Sequence, residues 1–409
     1  MEHSSAHGPD PLQLTADLVG IDSHNPGPGE AAISDFVVEH VAIPLGAEVT
    51  RFEPVPGRPN VMLTIDRGPG PHLVLSGHLD TKPVGDAGPL WNTDPLTLVV
   101  DDGLAYGLGA SDMKGPIASM LTALHRFAGR DGPGKASVLL TADEEVASAA
   151  GAAALAAAGQ PRCDALVIGE PSGADRPWEM IALVSRGICC VEIELTTTQG
   201  HSGLSELRGP NAVVVAADVV RAFHEFSPPV AVPGPINCAP TVNAGVTVSG
   251  GVGFGTSPGR CVVGCEIRLV PGMDQAEVEA AIRTLVHDAV AGRAEVAIRF
   301  LDDGRGWAAA TVVAPDEQVV VSARRACREV LGAEPPLDAY PGTTEASHFI
   351  PALGIPVIAS LGPGWLSVAH GPNECVGVDQ LYEAASIYHL LLEDFCAAAE
   401  PTTSSTNHR

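Results

Sequence analysis

His78 and Asp80 stand two residues apart, directly after the apolar run of residues 72–77. In an extended chain side chains two apart project to the same side. The imidazole can then bind a metal through one ring nitrogen while the carboxylate orients the ring or a neighbour; taken alone, the pair is better explained by a capped turn. Other carboxylates sit at comparable points. Asp112 ends a glycine-rich stretch just ahead of a helical pattern, Asp143, Glu144 and Glu145 follow the run 137–142, Glu170 follows 165–169, and His370 lies in a late loop. Asp112 alone would also serve as a helix cap. The glycines around it complete neither dinucleotide nor P-loop spacing, because Asp112 falls where a third glycine belongs and no GK[ST] follows. Taken jointly, these are oxygen and nitrogen donors on separate strand ends, a set that suits two divalent ions sharing a bridging carboxylate and a water. Glu144 beside Glu145 fits the same scheme, since a cation can neutralise one carboxylate and leave the other to titrate as a base.

The elements that must carry these groups alternate. Short apolar runs bounded by turn residues, at 72–77, 137–142 and 165–169, read as buried strands. Between them, residues 116–127 open with a proline and continue with helical spacing, and the alanine-rich 147–158 stops at Gly159. Such alternation predicts a mainly parallel α/β sheet covered on both faces, with ligands at the carboxyl ends of its strands. From about Ile181 the pattern changes to period two, Val191, Ile193 and Leu195 alternating with polar residues. A helix (211–226), strands (241–248 and 260–270), a helix (274–290) and a strand (294–300) follow, the βαββαβ order of a ferredoxin-like unit. The α/β texture then resumes with a helix at 316–331, a strand at 355–361 and a helix at 379–398. The expected organisation is a discontinuous catalytic domain, 1–180 with 303–409, interrupted by an α+β domain at 181–302, and a polar tail at 400–409 outside the fold.

Bulk properties narrow the function. A formal charge of −26 disfavours phosphate backbones and anionic lipid surfaces, so neither nucleic acid nor membrane is an expected partner. Bound cations can reverse the potential locally, which keeps a carboxylate-bearing small molecule open as substrate. Residues 1–10 lack the basic start and apolar stretch of a signal peptide, which predicts a cytoplasmic protein. The nine cysteines read as reduced thiols, and Cys261 and Cys265 have no second pair at zinc-finger spacing.

The ordered motifs SGHLDTKP (76–83), WNTDP, YGLGASDMKG, TADEE, GEPS, QGHSG, EIRLVPGMD, GTTEA and AHGPNE cover most of the chain, and with them it strongly resembles the M20 metallopeptidases. That family includes aminoacylases, acetylornithine deacetylases, succinyl-diaminopimelate desuccinylases and glutamate carboxypeptidases. The resemblance implies a zinc-peptidase-like catalytic domain and a lid that also carries a dimer contact, hence a homodimer. It implies two Zn2+ ions, with Co2+ or Mn2+ as substitutes, bridged by Asp112. His78 and Glu170 would complete one site, and Glu145 and His370 the other. It further implies Asp80 as support of the first site, Glu144 as general base, a cis bond between Asp112 and Met113, and His201 offered to a partner subunit. Arg268, with Asn243 and Thr344, would hold the substrate carboxylate.

Leu108 stands where arginine is common, Gly255 where asparagine is common, and Glu345 where aspartate is frequent, which bears on specificity and not on the metal ligands. The expected activity is hydrolysis of an amide bond in a small N-acyl amino acid or related derivative. The alternatives are a dipeptidase or aminopeptidase of the same family, which Glu170 in place of aspartate disfavours, a silent homologue, or an amide-forming one.

Overall fold

The computed structural model describes residues 8–146, 148–204, 207, 209–232, 234–301 and 306–398. Its contacts divide the chain into two units, one of Met1–Leu183, Val313–Tyr340 and Thr344–Arg409, the other of Val184–Val312 and Pro341–Thr343. The boundary expected at 302/303 and the polar tail at 400–409 both lie outside the described residues.

Along the first unit run α1 (Pro11–Val19), β1 (Glu48–Val55), β2 (Arg58–Asp66), β3 (His72–His78), α2 (Lys114–Ala128), β4 (Lys135–Thr141), α3 (Ala152–Ala157) and β5 (Ala165–Ile168). The second unit holds β6 (Gly187–Thr196), α4 (Ala212–His224), β7 (Thr241–Gly250), β8 (Arg260–Leu269), α5 (Gln275–Val290) and β9 (Glu295–Phe300). The first unit then closes with α6 (Gln318–Leu331), β10 (Val357–Ile358) and α7 (Val378–Cys396).

The sheet of the first unit has the order β1-β2-β4-β3-β5-β10. β4, β3, β5 and β10 run parallel, while β1 and β2 add an antiparallel hairpin at one edge. Leu73, Val74, Leu75, Val138, Leu140, Leu166 and Val167 are inaccessible to solvent, as strands covered on both faces must be. Val74, Leu139, Leu166 and Ile168 pack with Leu155 and Phe349 on one face, and α2 and α7 cover the other. β1 leaves no such apolar run in the sequence, because it is exposed along nearly all its length and contains Pro54, which an edge strand tolerates.

Two expected elements are shorter than their composition suggests. The helix read over 147–158 spans Ala152–Ala157. Ser148 lies at φ 56, and Gly151 sits so close to β4's exit that a Cβ there would be 1.8 Å from the Ala142 carbonyl oxygen. The alanines before Gly151 are therefore spent on a turn, while Ala147 itself lies outside the described residues. The strand read over 355–361 pairs in the sheet only at Val357 and Ile358, after which Ala359 donates its N–H to the Ala182 carbonyl.

The second unit is an antiparallel sheet of order β7-β8-β6-β9 with α4 and α5 packed on it, which is the ferredoxin-like strand order. The period-two residues Val191, Ile193 and Leu195 meet Val215, Val219, Phe223, Val263, Ile282 and Val286 in one core. Asn211 and Asp274 cap the two helices by accepting from Val213 N (2.9 Å) and Glu277 N (3.0 Å). β7 forms an outer edge, with Val246 and Val248 exposed. No helix among the described residues is long and apolar enough to cross a membrane.

Candidate metal centre

Strand register brings the chemistry together. β3 pairs with β4 so that His78 faces Thr141, and with β5 so that Ser76 faces Ile168. The residues that follow, Asp80, Asp143–Glu145 and Glu170, therefore leave the sheet at one edge. Asp112 enters from the loop before α2, where the Asp112–Met113 peptide is cis.

His78 Nε2 lies 2.9 Å from Asp112 Oδ1 and 3.7 Å from Glu170 Oε1. On the other side, His370 Nε2 lies 3.1 Å from Asp112 Oδ2 and 3.2 Å from Glu145 Oε2. The two oxygens of Asp112 thus face different ligand sets. Donor atoms of His78, Asp112 and Glu170 lie within 4.8 Å of one another, and so do those of Asp112, Glu145 and His370. A third group within the same limit joins His78, Glu144 and Glu145. All are buried or half-buried except His370, which is exposed at the rim.

So many carboxylates in a dry pocket perturb one another. Burial pushes Glu170 up to about 8, with repulsion from Asp112 and Glu145 added. Burial and the charges of Glu170, Glu145 and Asp112 also hold Glu144 well above the usual carboxylate range. Burial opposes charge on His78, yet its hydrogen bond to Asp112 keeps the imidazole well above its ordinary value. Hydrogen bonds to Asp112 and Glu145 raise His370 to about 10. Asp112 is the exception, since against the effect of burial His370 and His78 hold its carboxyl far below the ordinary range. Glu145 Oε1 is buried and has no hydrogen-bond partner in the protein. An acceptor left without a donor inside this histidine and carboxylate set is what a divalent cation would complete, and the donors present fit one or two such ions.

Behind the ligands stands a supporting layer. His78 Nδ1 is 2.9 Å from the main-chain oxygen of Asp80, and the nearer carboxylate oxygen of Asp80 is 3.7 Å away. The ring is thus oriented by the Asp80 backbone, while the Asp80 side chain accepts from Glu144 N, Glu145 N and Asn25 Nδ2. Asn25 also donates to Asp143, which Arg58 ties to the buried Glu30. Tyr340 OH donates to Glu170 Oε2 at 3.1 Å. Lys82 Nζ sits 3.0 Å from Glu145 Oε2 and also donates to the Glu145 carbonyl. Sequence reading missed Asn25, Tyr340 and Lys82. Lys82 stands inside the SGHLDTKP stretch, whereas nothing in the types of Asn25 and Tyr340 points to the centre.

The remaining sequence candidates have the following surroundings. Thr344 is buried in the first unit, where its Oγ1 accepts from Ala346 N at the start of a helix (3.4 Å). His201, Arg268 and Asn243 belong to the second unit. His201 is exposed and its Nδ1 accepts from Gly203 N at 3.1 Å. Arg268, on β8, is half-buried, with Nε 2.8 Å from Glu266 and Nη1 donating to Thr343. Asn243 is exposed on β7. Of the departures from the family pattern, Leu108 is buried, Gly255 occupies the left-handed region at φ 85, and Glu345 is a buried carboxylate that burial pushes up to about 7, with Thr141 as donor to one oxygen.

Comparison with known proteins bears on the family and the fold. Residues 74–394 match the model of peptidase family M20/M25/M40. Succinyl-diaminopimelate desuccinylase of Rhodospirillum centenum is 30% identical over 405 residues, covering 97% of this chain and 100% of that protein. Among solved structures, the M20 family metallo-carboxypeptidase Sso-CP2 from Sulfolobus solfataricus superposes with a TM-score of 0.78 at 20% identity, over 95% of this chain and 100% of that one. Human carnosine dipeptidase 1 does so at 0.75 and 19% identity, over 95% and 96%.

Proposed function

The chain belongs to peptidase family M20/M25/M40 and is a metallohydrolase, and on that premise we propose that it hydrolyses the amide bond of a small N-acyl amino acid or related derivative, with Glu144 as general base. The observation that carries this reading is the sharing of Asp112 between two ligand sets, with Glu144 grouped beside His78 and Glu145. The desuccinylase relatives support an acyl group as the part removed and make succinylated amino acids the first substrates to try.

His78, Asp112 and Glu170 would hold one cation, and Asp112, Glu145 and His370 the other. Two Zn2+ ions, or Co2+ or Mn2+ in their place, would supply Lewis acidity to the amide carbonyl and lower the pKa of the attacking water. Glu144 accepts the proton of that water and returns it to the departing amine nitrogen, so one carboxyl serves both halves of the reaction. Resemblance to the family supports His201 as a donor to the carbonyl oxygen, and Arg268, Asn243 and Thr344 as holders of the substrate carboxylate. The same resemblance supports a homodimer formed through the 181–302 lid and a cytoplasmic location. The charge of −26 speaks against nucleic acid or a membrane surface as partner.

The test is a hydrolysis screen of N-acyl amino acids and free-amine dipeptides with zinc supplied and Glu144→Ala as control. Turnover of acyl amino acids that the substitution abolishes is the expected result. Turnover confined to free-amine dipeptides would replace the deacylase reading with a dipeptidase one.

A further inference from the structure

The loop that delivers Asp112 is buried, and the destinations of its backbone N–H groups are therefore a complete accounting question. Leu108 N donates to Pro95 O and Ala110 N to Gly107 O. The other donors from Gly107 to Asp112 all go to a single residue. Gly107 N reaches the main-chain oxygen of Glu374 at 2.9 Å, and Gly109 N reaches Glu374 Oε2 at 3.0 Å. Ser111 N and Asp112 N both reach Glu374 Oε1, at 3.0 and 2.9 Å. Glu374 is 2% exposed, and its two side-chain oxygens accept three converging N–H groups.

Glu374 is also anchored on its own side. It immediately precedes the strand Cys375–Gly377, whose Cys375 pairs with Tyr106, so the residue and the loop it binds share one small sheet. Four positions before it stands His370, and His370 and Asn373 both adopt left-handed backbone, at φ 59 and φ 60. Asn373 in turn accepts from Asn92 N and donates to Leu90 O, at 2.8 and 3.0 Å. The turn that carries His370 is thereby pinned at its end to the loop that carries Asp112. Gly109 fits the same purpose. At φ 80 with the Thr81 methyl 2.8 Å from where a Cβ would be, it lets the backbone bend its N–H toward Glu374.

We infer that Glu374 is the positioning residue of the centre, holding Asp112 and His370 in mutual register by binding the backbone of the Asp112 loop while belonging to the His370 turn. This rests on the reading of Asp112 and His370 as metal ligands. The residue touches neither substrate nor metal. It acts on the distance between Asp112 Oδ2 and His370 Nε2, and so on the ligand set that also includes Glu145.

The test compares the full-length protein with Glu374→Gln and Glu374→Asp, each stripped of metal and titrated with Zn2+ against a chromophoric chelator. The d–d absorption spectrum after Co2+ loading supplies a second readout. Glutamine keeps one acceptor oxygen but turns an NH2 toward the Gly109 N–H. Aspartate keeps both oxygens but withdraws them by one methylene. If position matters, both variants bind metal about 10- to 100-fold more weakly, as loss of an outer-shell partner does, and the Co2+ spectrum changes. Should the glutamine variant not fold, the aspartate variant carries the same reading. Cys327→Ala, a buried residue of α6 outside the clamp, controls for general destabilisation and should leave affinity and spectrum unchanged. Wild-type affinity and spectrum in either folded variant, or an equal loss in Cys327→Ala, would overturn the inference. A wild-type protein that binds no divalent metal would overturn the reading of the centre instead.

Discussion

The Asp80 carboxylate accepts the backbone N–H of Glu144 at 3.1 Å through Oδ1, and that of Glu145 at 3.1 Å through Oδ2. A single buried side chain thus sets where Glu144 and Glu145, the proposed base and ligand, leave β4. Asp80→Ala should cost about 10- to 100-fold in metal affinity, the usual effect of losing such a partner, with kcat falling as Glu144 drifts. Chelator competition and steady-state kinetics measure the two effects. Unchanged values in both would mean that the turn holds itself.

Glu144→Ala removes the proposed base and leaves all the other donors in place. Metal content by atomic absorption should match wild type, while kcat falls at least about 100-fold, within the range of a lost general base. Loss of metal together with activity would make Glu144 a ligand instead.

Metal binding should release protons. In the metal-free protein burial pushes Glu170 up to about 8, hydrogen bonds to Asp112 and Glu145 raise His370 to about 10, and His78 is held well above its ordinary value, so all three are largely protonated at pH 7, whereas Asp112 is ionised. Ligation needs Glu170 as carboxylate and both imidazoles neutral. Binding therefore lowers all three pKa values, and affinity rises with pH up to and beyond 8. Calorimetry at pH 7 in two buffers of different ionisation enthalpy should report about two to three protons released per protein loaded. No dependence on buffer would contradict the assignment.

Tyr340 donates to the oxygen of Glu170 that points away from His78, at 3.1 Å. Tyr340→Phe keeps the ring in its buried place and removes only that donor, so stability should fall by about 1 kcal/mol and metal affinity by about 10-fold. Urea unfolding and the same chelator competition test both.

The strand ends were legible because β3, β4 and β5 are continuous apolar runs, and a carboxylate or histidine directly after such a run has one place to go. Of the residues that support those ligands, Asp80 was legible from its place two after His78, though not which N–H groups it binds. Glu374 acts on backbone N–H groups, which every residue but proline carries, so the contacted positions leave no mark in the composition. Tyr340 is a neutral ring 170 residues from the carboxylate it holds. β1 escaped because an exposed edge strand needs no apolar run. The start of α3 escaped because alanines on either side of Gly151 have the same helix propensity, and only the close approach of Gly151 to Ala142 separates turn from helix.

That approach can be tested directly. A Cβ at Gly151 would stand 1.8 Å from the Ala142 carbonyl oxygen, so Gly151→Ala must push backbone against backbone. Overpacking of this kind costs about 1–3 kcal/mol, and here the displaced atom belongs to the strand exit that leads into Asp143, Glu144 and Glu145. Metal affinity should therefore fall along with stability. Gly129→Ala, at the C-terminus of α2, supplies the contrast. Its nearest neighbour would be Arg126 O at an ordinary 3.6 Å, and both quantities should stay near wild type, within about 0.5 kcal/mol for stability. Urea unfolding of the metal-free proteins measures the first quantity and chelator competition the second. If Gly151→Ala lost stability while binding metal as wild type does, the turn after β4 would be uncoupled from the ligands it precedes.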